Sequence, residues 1–565
     1  MTEPGARLRG MVLAAGYGTR LAPLTDHVPK PLLPVDGRPL LDHVLDALLA
    51  AGCDRIGVNT HHLGRQVRAH LAAHPRASRL VAFPEAEILG TGGALANARD
   101  FLADAGCILL HNGDVLADPD LAGLVADHRA SGALATLLLV DWPAVNSVRL
   151  VFFFMMRRPP SSTLFPAPAL FRSRRPSPGI AALDPVLLDR IGPGFSSLIA
   201  PLAAAVASGD GAVRGWAPAG LAWSDLGTPG RWLAHVGSDT PDGAPGLGVR
   251  RITGHGSDRR FWRLAAADWS AVAMTSPPGD DEHERFLAAA AFLAAHDLGP
   301  AAVLAVDDPG RTVLLEDLGR DPLGDLARRG PFPDEVYGQA VDWLVRLQAI
   351  TPAAGAVCPT AVDRVLDTAA LRDETVYFAT RCLAGHFGLP DDDIAPLAGG
   401  FDALAAAVGA LPQVLIHRDF QSANLLLHDG RVRPVDFQGL RLGPVAYDLA
   451  SLVWDPYVDV PTAARQRLVA RFAAAKELAP DTAAAMTTLC GLQRVMQALG
   501  AYGFLGHVKG RTGFLVHVPG AWNRLRALLA EAATLRAAGD PAVVDLGVPD
   551  LSRLAALVAA HDPAA

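Results

Sequence analysis

Near its start, the chain places a glycine-rich turn directly after an apolar, strand-like run. The run MVLAAG (residues 11–16) continues into YGTRLAPLT (17–25), and PKPLLPV (29–35) follows closely. Glycines let backbone amides approach a polyphosphate, and the amino end of a following helix favours negative charge. The pattern predicts a strand–turn–helix unit that binds phosphate groups. A short Gly-x-Gly alone is a weak signal, but this string is long.

Lysine is scarce in this chain, which makes Lys30 informative. The 50 lysine and arginine residues include only three lysines, Lys30, Lys476 and Lys509. A lone lysine is usually a solvated surface residue, but Lys30 lies within the extended string that follows the glycine turn. We therefore predict that Lys30, together with Arg20, neutralises phosphate charge there.

Apolar runs such as RIGVNT and CILLHNGD alternate with helix-like stretches such as Pro39 to Ala51, from Met11 to about Val236. This alternation predicts a parallel, Rossmann-like sheet covered by helices, with ligands at the carboxyl ends of its strands. We predict a first domain over residues 9–236. A linker is predicted over 237–247 (GSDTPDGAPGL), because this stretch is rich in Gly, Pro, Asp and Ser.

A second domain is predicted over residues 248–535, with a carboxy-terminal tail over 536–565. To about Leu318 the pattern is strands with one helix, Asp281 to Ala295. Ala/Leu/Arg-rich helices dominate the remainder, interrupted by a hairpin-like segment from Val414 to Phe437. We therefore expect a small mixed lobe followed by a large helical lobe, and the fold class expected for the whole chain is α/β.

The charge balance points to small-molecule partners. A formal net charge of -8 at pH 7 argues against non-specific attraction to nucleic acid or anionic lipid. The sequence contains no run of about 18 or more uncharged apolar residues and no secretory leader. The five cysteines form no CxxC pair or metal-ligand cluster. We expect no membrane partner, no nucleic acid, and a cytoplasmic location.

One segment differs from its surroundings. Residues 151–173 (VFFFMMRRPPSSTLFPAPALFRS) have neither a strand nor a helix period, and two of the seven methionines are adjacent there. The segment resembles translated sequencing-adaptor read-through, so our hypothesis is that it replaces an authentic strand and loop. The alternative is a genuine apolar insertion that binds a membrane or a partner. Sequencing the gene from its source distinguishes the two.

Two aspartates follow the glycine turn at intervals that favour a metal site. Asp114 ends the strand-like CILLHNGD, and Asp225 lies in WSDLGTP. Either aspartate alone is more often a turn or helix cap. Together with the turn, they could hold Mg²⁺, which prefers carboxylate oxygen and water. In-line displacement at phosphorus needs such charge neutralisation more than it needs a covalent nucleophile.

The ordered set GxGTRLxPLT, PKPLLPV, EAEILGTGGA, NGD and SDLGTP resembles the sugar-phosphate nucleotidyltransferases, above all the N-acetylmuramate 1-phosphate uridylyltransferases. The resemblance implies a sugar 1-phosphate and UTP, or another NTP, as substrates. That family has Glu-Thr-Gly-Gly-Gly where this chain has GTGGA, so the base stays open. The nucleotide-binding residues that it implies are Ala14, Ala15, Gly16, Gly18, Thr19, Glu85, Thr91, Gly92 and Gly93.

A second constellation lies in HRDFQSANLL (residues 417–426), which is followed by Asp436-Phe437-Gln438. An aspartate five residues before an asparagine, then an aspartate beyond a short hairpin, fits phosphoryl transfer. Asp419 would orient or deprotonate a hydroxyl group. Asn424 and Asp436 would hold Mg²⁺ against the phosphates of ATP. A chance match at a helix end is the less favoured explanation.

These motifs resemble the aminoglycoside phosphotransferase and kinase-like superfamily, in particular the anomeric N-acetylmuramate/N-acetylglucosamine kinases. The resemblance implies a two-lobed kinase fold in which Glu316 lies at the hinge and Asp448 anchors the large lobe. The ATP-binding strand lacks a lysine, and Met274 stands near its place. The ATP-binding residues expected upstream are Gly254, Gly256, Ser257 and Arg260.

The two resemblances together imply consecutive steps, an anomeric phosphorylation followed by nucleotidyl transfer to an amino sugar. Two alternatives stay open. One is a choline kinase joined to a phosphocholine cytidylyltransferase, which should need an aromatic or acidic cage for its quaternary ammonium group. The other is a non-catalytic nucleotide-binding module, which would bind nucleotides without turnover.

Overall fold

The computed structural model describes residues 7–140, 177–208, 213–236, 246–252 and 258–561. The unusual segment 151–173, most of the predicted linker 237–247, and the predicted ATP-binding residues Gly254, Gly256 and Ser257 lie outside the described residues. Predictions about them stay predictions.

By contact density the chain forms two compact units. The first comprises Met1–Pro277 and Leu304–Leu315, and the second comprises Pro278–Val303 and Glu316–Ala565. The strands between residues 248 and 315 therefore pack mainly with the first unit, whereas the helix Glu282–Ala295 and the long helices after residue 316 belong to the second.

The first unit is a layered α/β structure. Its strands are β1 Leu8–Leu13, β2 Pro34–Val35, β3 Arg38–Pro39, β4 Arg55–Thr60, β5 Leu80–Pro84, β6 Cys107–Asn112, β7 Val115–Ala117, β8 Ala135–Leu138, β9 Ile180–Leu183, β10 Val213–Trp216, β11 Trp223–Asp225, β12 Gly248–Ile252, β13 Arg260–Ala265, β14 Ser270–Thr275, β15 Val303–Asp307 and β16 Thr312–Glu316. Its helices are α1 Leu24–His27, α2 Leu40–Ala50, α3 Gly64–Ala73, α4 Gly90–Asn97, α5 Arg99–Leu102, α6 Leu121–Ser131, α7 Ile199–Ser208 and α8 Pro229–Leu233.

A seven-stranded sheet with the order β10-β8-β9-β6-β1-β4-β5 forms the centre of this unit. Strand β1 is parallel to both of its neighbours, β4 and β6, and most of its residues are buried, as expected for a central strand covered on both faces. The prediction of a parallel sheet is wrong at β9, which is antiparallel to β6 and β8. The connection from β8 to β9 runs through residues 141–176, which lie outside the described residues.

A second sheet, of order β12-β13-β14-β16-β15, belongs to the first unit except for its border residues Val303 and Glu316. Strands β12, β13 and β14 pair as an antiparallel meander. Trp262 and Leu264 of β13 lie in the same buried apolar cluster as Leu24, Val28 and many residues of the seven-stranded unit. The two sheets therefore share a hydrophobic core.

The second unit is mainly helical. Its strands are β17 Gln413–Ile416, β18 Leu425–His428, β19 Arg431–Pro434 and β20 Arg441–Pro444. Its helices are α9 Glu282–Ala295, α10 Leu323–Arg329, α11 Asp334–Ala349, α12 Thr351–Val357, α13 Thr368–Phe378, α14 Asp391–Ile394, α15 Ala398–Gly409, α16 Tyr447–Val453, α17 Thr462–Ala475, α18 Pro480–Gly503, α19 Val518–Ala538, α20 Pro541–Val544 and α21 Ser552–Ala560. The predicted hairpin region corresponds to β17 to β19.

Helix α18 forms the buried centre of the second unit. Most of its 24 residues are buried, and it packs against α13, α16, α17 and α19. A helix that is apolar almost all round must be enclosed by other helices. Within the described ranges, no helix has the length and apolarity that crossing a membrane requires.

The shared core predicts that a core mutation in β13 weakens the glycine-turn unit as well. Leu264 is fully buried, so Leu264→Ala should lower the free energy of unfolding by about 2–5 kcal/mol. Hydrogen exchange of the β1 amides should accelerate with it. Leu304→Ala, at a side chain that is 39% exposed, is the control and should change stability by only about 0.5 kcal/mol. Unchanged β1 protection in Leu264→Ala would show that the sheets are independent.

Two candidate catalytic sites

A cavity of about 660 Å³ opens in the first unit, beside the carboxyl ends of β1 and β6. Its wall brings together most of the first predicted site, namely Ala14, Ala15, Gly16, Gly18, Thr19, Arg20, Lys30, Thr91, Asp114 and Asp225. Ligands in parallel α/β sheets bind at this edge because the connecting loops meet there. The cavity is large enough for a nucleotide.

Local geometry explains the two glycines of the turn. Gly18 has φ 65°, a left-handed conformation that side chains disfavour, and Thr25 Oγ1 donates a hydrogen bond to its carbonyl oxygen at 3.0 Å. A Cβ on Gly18 would lie only 2.8 Å from Thr25 Cγ2. A Cβ on Gly16 would meet no atom within 4 Å, so the space beside that backbone is open to a ligand.

Pairing of β7 with β11 brings the two predicted metal ligands together. Asp225 is opposite Val115, the residue after Asp114, and the Leu226 backbone N–H donates to the Asp114 carbonyl oxygen at 3.4 Å. Carboxylate oxygens are the donors that Mg²⁺ prefers, so both residues fit this ion. In the part of the chain that the structure describes, no group of three or more His, Cys, Asp or Glu side chains could hold a metal. Water and substrate phosphate would therefore complete its coordination.

Each carboxylate in the cavity has a cationic partner. Lys30 Nζ lies 2.8 Å from Asp114 Oδ2, and Asp225 Oδ2 lies 3.0 Å from Arg231 Nη1 and 3.6 Å from Arg20 Nη2. Burial alone would raise the pKa of Asp114, but the Lys30 ammonium and then the Arg20 guanidinium outweigh it and hold that pKa below its usual value. Asp114 is thus ionised and available to a cation at neutral pH.

Glu85 supports the cavity from behind. Its Oε1 accepts from Asn59 Nδ2 at 2.7 Å, and its Oε2 accepts from the Leu89 backbone N–H at 2.9 Å. Asn59 Oδ1 in turn accepts from the Ala14 backbone N–H at 2.6 Å. Asn59 lines the cavity, and Glu85 is not among the residues of its wall. Sequence reasoning did not identify Asn59, although it is the last residue but one of the strand-like RIGVNT, on the same edge as Asp114.

The glycines of the GTGGA segment pack against a neighbouring loop. The Gly92 backbone N–H donates to the Ser196 carbonyl oxygen at 2.9 Å, and the Leu198 backbone N–H donates to Thr91 Oγ1 at 2.9 Å. A Cβ on Gly92 would lie 2.7 Å from Ser196 Oγ, and a Cβ on Gly93 would collide with the Gly194 carbonyl oxygen. Gly92 and Gly93 are absent from the cavity wall. Their small size therefore serves loop packing, and their nucleotide-binding role stays a prediction.

In the second unit, a buried carboxylate accepts backbone hydrogen bonds from the loop that carries Asp419. Asp448 Oδ2 accepts from the His417 backbone N–H at 2.5 Å, and Oδ1 accepts from the Arg418 backbone N–H at 2.9 Å. Arg418 has φ 78°, a strained conformation that such contacts must hold in place. Burial raises the pKa of Asp448 to about 7 despite these two hydrogen bonds. Its predicted anchoring role matches this geometry.

The loop brings Asp419, Asn424 and Asp436 into one site. Asn424 Nδ2 donates to the Asp419 carbonyl oxygen at 2.9 Å, and the Val435 backbone N–H donates to the Asn424 carbonyl oxygen at 2.9 Å. Gln438 Nε2 donates to Asp436 Oδ1 at 2.7 Å. The side-chain oxygens of Asn424 and Asp436 are of the type that binds Mg²⁺, so both residues fit this ion.

Two guanidinium groups flank Asp419. Arg418 Nη1 lies 3.5 Å from Asp419 Oδ2, and Arg494 Nη2 lies 3.5 Å from Asp419 Oδ1. Burial alone would raise the pKa of Asp419, but these arginines outweigh it and lower that pKa. Arg494 also donates to Gln421 Oε1 at 3.1 Å. Arg494 lies on α18, 75 residues beyond Asp419, and was not among the predicted site residues.

An aromatic cluster adjoins this loop. Asp455 Oδ2 accepts from the Ser422 backbone N–H at 2.6 Å, and its Oδ1 accepts from the Tyr457 backbone N–H at 2.7 Å. The Tyr457 ring centroid lies 4.8 Å from that of His517 and 6.2 Å from that of Tyr502. Asp455 therefore ties an aromatic wall to the catalytic loop. None of Tyr457, Tyr502 and His517 was predicted as a site residue, and the three lie far apart along the chain.

The two remaining described candidates lie elsewhere. Glu316 is held by Arg433, with Oε2 at 2.7 Å from Nη2 and Oε1 at 2.9 Å from Nη1. Its side chain thereby braces the β18–β19 hairpin, and a nucleotide-binding role stays a prediction. Arg260 belongs to the first unit, where its guanidinium carbon lies 5.6 Å from the ring centroid of Trp262.

Two known families match separate parts of the chain. Residues 9–147 match the family described as "Nucleotidyl transferase", and residues 248–486 match the family described as "Phosphotransferase enzyme family". The predicted pair of resemblances is therefore confirmed, as is the α/β fold class with a Rossmann-like domain followed by a kinase-like domain.

Individual relatives fall into two groups. The chain is 29% identical to an N-acetylmuramate/N-acetylglucosamine kinase of Pseudomonas aeruginosa, over 50% of this chain and 84% of that protein. It is 31% identical to a mannose-1-phosphate guanyltransferase of Schizosaccharomyces pombe, over 40% of this chain and 62% of that protein. A similar protein of Mycobacterium tuberculosis is 31% identical, over 39% of this chain and 61% of that protein. The matched part thus spans about three fifths of these two transferases.

Among solved structures, a UDP-glucose pyrophosphorylase from Acinetobacter baumanii aligns over 41% of this chain and 92% of its own. The two are 17% identical in sequence, with a TM-score of 0.34.

Removing the Lys30 ammonium should change the titration of Asp114. The depressed pKa of Asp114 contributes stability above the unfolded-state pKa, and this contribution is lost as pH falls through the folded-state value. In Lys30→Met, the ammonium group that offsets the effect of burial is gone, so the pKa of Asp114 should rise. As the pH is lowered, Mn²⁺ binding should then be lost at a higher pH than in the wild type. Carboxyl-carbon NMR and calorimetric Mn²⁺ titrations measure both quantities. Arg38→Met, which breaks an exposed pair with Asp46, is the control; an unshifted Asp114 titration would contradict the assignment.

Proposed function

Because the chain carries a nucleotidyl transferase domain and a phosphotransferase-family domain, we propose that it activates an amino sugar in two steps. ATP would phosphorylate the anomeric hydroxyl of N-acetylmuramate or N-acetylglucosamine, and the sugar 1-phosphate would then react with UTP to give the UDP-sugar. The observation that carries the proposal is the convergence of Lys30, Asp114 and Asp225 on one cavity beside the glycine turn. We place this chemistry in cell-wall recycling because of the muramate-kinase relative.

In the nucleotidyl transfer, a phosphate oxygen of the sugar 1-phosphate attacks the α-phosphorus of the nucleotide. The new O–P bond forms as the bond to the bridging oxygen breaks, and that oxygen leaves with pyrophosphate. Arg20 and Lys30 would neutralise charge on the triphosphate, and the open backbone at Gly16 would admit it. Asp114 and Asp225 would hold Mg²⁺, which supplies charge neutralisation at the phosphates.

In the kinase step, the anomeric oxygen attacks the γ-phosphorus of ATP, and ADP leaves. Asp419 would orient that hydroxyl and accept its proton, while Asn424 and Asp436 would hold Mg²⁺. The flanking Arg418 and Arg494 keep Asp419 ionised. A base with a lowered pKa accepts a proton only weakly, so orientation of the hydroxyl is its larger contribution.

The surroundings of Asp419 support a sugar acceptor. Tyr457 is only partly buried and provides an aromatic face on which a sugar ring can lie, with the buried Tyr502 packed behind it. Arg494 provides hydrogen-bond donors. The same aromatic wall supports choline as a second candidate, because aromatic rings attract quaternary ammonium groups. The adjacent guanidinium groups of Arg418 and Arg494 oppose a permanently cationic acceptor, since like charges repel. The sugar is therefore the preferred acceptor.

The remaining partners follow from the same chemistry. Small-molecule sugars and nucleotides, with Mg²⁺, are the proposed partners, without nucleic acid or membrane. The five cysteines are all free and buried, which agrees with a reducing cytoplasm. Relatives are named for guanylyl as well as uridylyl transfer, so each nucleotide has to be compared. UTP is the proposed donor because of the resemblance to the N-acetylmuramate 1-phosphate uridylyltransferases.

Product analysis tests the proposal directly. The full chain is incubated with ATP, Mg²⁺ and N-acetylmuramate, N-acetylglucosamine or choline, together with each NTP in turn, and products are identified by mass spectrometry. We expect a UDP-linked amino sugar and release of pyrophosphate. Formation of CDP-choline would refute the proposal and support a choline kinase joined to a phosphocholine cytidylyltransferase. Binding of nucleotides without any turnover would favour a non-catalytic module.

Substitution of one aspartate in each site should separate the two reactions. Asp419→Asn should lower ATP-dependent phosphorylation by about 100-fold or more, because a neutral amide orients the hydroxyl less strongly than a carboxylate and cannot accept its proton. Nucleotidyl transfer to a supplied sugar 1-phosphate should continue in that variant. Asp114→Asn should lower the rate of pyrophosphate release by a similar factor, about 100-fold, because it weakens the metal site. It should leave the rate of phosphorylation unchanged.

The control for both variants is Asp429→Asn, at a side chain that is 91% exposed. It should retain both reactions. ADP and pyrophosphate assays report the two steps separately. Retained phosphorylation in Asp419→Asn would refute the role of this aspartate.

A further inference from the structure

The turn between β15 and β16 contacts the start of α8, within the first unit. Asp307 Oδ2 accepts a hydrogen bond from the Gly230 backbone N–H at 2.9 Å, and its Oδ1 accepts from the Gly310 backbone N–H at 3.3 Å. Asp307 is only 8% exposed. A buried carboxylate that uses both oxygens in this way fixes the positions of the backbone groups that it binds.

Close backbone approach reinforces this contact. A Cβ on Gly230 would lie 2.7 Å from Gly310 Cα, and a Cβ on Gly310 would lie 3.0 Å from Gly230 Cα. Neither glycine has a positive φ, so the requirement at both positions is for space. Two glycines and a buried aspartate therefore join the turn to α8.

The same short helix holds one of the metal-site carboxylates. Arg231, next to Gly230, donates from Nη1 to Asp225 Oδ2 at 3.0 Å. Trp232 is fully buried, and its Nε1 donates to the Pro34 carbonyl oxygen at 2.9 Å. Residues 225–232 are thus fixed by Trp232 on one side and by Asp307, through Gly230, on the other.

We propose that Asp307 is a positioning residue for nucleotidyl transfer, acting through Gly230 and Arg231 on the orientation of Asp225. The inference rests on the proposed function of the first site. It assigns a role in that site to a turn within residues 248–486, the stretch that matches the phosphotransferase family. Nucleotidyl transfer therefore depends on a segment outside the matched nucleotidyl transferase residues.

The test uses the full chain with Asp307→Ala, which removes both acceptor oxygens, and Asp307→Asn, which keeps one. Pyrophosphate release is measured against Mg²⁺ concentration with the sugar 1-phosphate supplied. We expect kcat to fall on the order of 10-fold in Asp307→Ala, since small displacements of a positioned group are costly. Half-saturating Mg²⁺ should rise, and Asp307→Asn should be intermediate. Asp308→Asn, at the exposed neighbour in the turn, should match the wild type.

Two further measurements separate a positioning role from a structural one. ATP-dependent phosphorylation and the thermal midpoint of Asp307→Asn should stay close to the wild type. A parallel loss of both activities with a lowered midpoint would overturn the proposal, as would unchanged pyrophosphate release in Asp307→Ala. If the wild type itself releases no pyrophosphate, the proposed function fails. Weaker Mn²⁺ binding in Asp307→Ala than in Asp308→Asn would then still support the positioning role, and equal binding would refute it.

Discussion

Both candidate sites depend on keeping a carboxylate ionised where water is largely excluded. Desolvation favours the neutral acid, and an acid without charge can neither hold a metal ion nor accept a proton. At Asp114 the compensating charge comes from Lys30, and at Asp419 it comes from Arg418 and Arg494. Lys30 and Arg494 are distant in sequence from the aspartates that they face, so each site is complete only once the fold has formed. The placement of these few charges decides which chemistry the surrounding scaffold supports.

The sequence predicted what local pattern encodes. The strand and glycine turn around Gly18, and the loop that carries Asp419 and Asn424, are continuous stretches whose residue types specify their geometry. The placement of Asp114 and Asp225 in one site could also be inferred, although they are 111 positions apart, because each lies in a recognisable motif. Those motifs are the part of the candidate sites that reading the chain could predict.

The rest depends on contacts between distant residues that share no motif. Asn59 supports the turn at Ala14 through a single amide, and Arg494 reaches Asp419 from the middle of a long helix. Neither contact leaves a periodic trace in the sequence. The residues of β9 were not among the predicted strands, so its antiparallel pairing with β6 and β8 was not foreseen either. The apolar residues of β13 indicated burial, but their pattern does not specify which other residues pack against them.

The common core of the two sheets has a consequence for producing the chain in pieces. Trp262 and Leu264 lie in one buried cluster with apolar side chains of the seven-stranded sheet. A cut between the two matched regions would expose apolar surface on both fragments, and exposed apolar patches favour aggregation. Soluble fragments would therefore need polar substitutions at the uncovered positions.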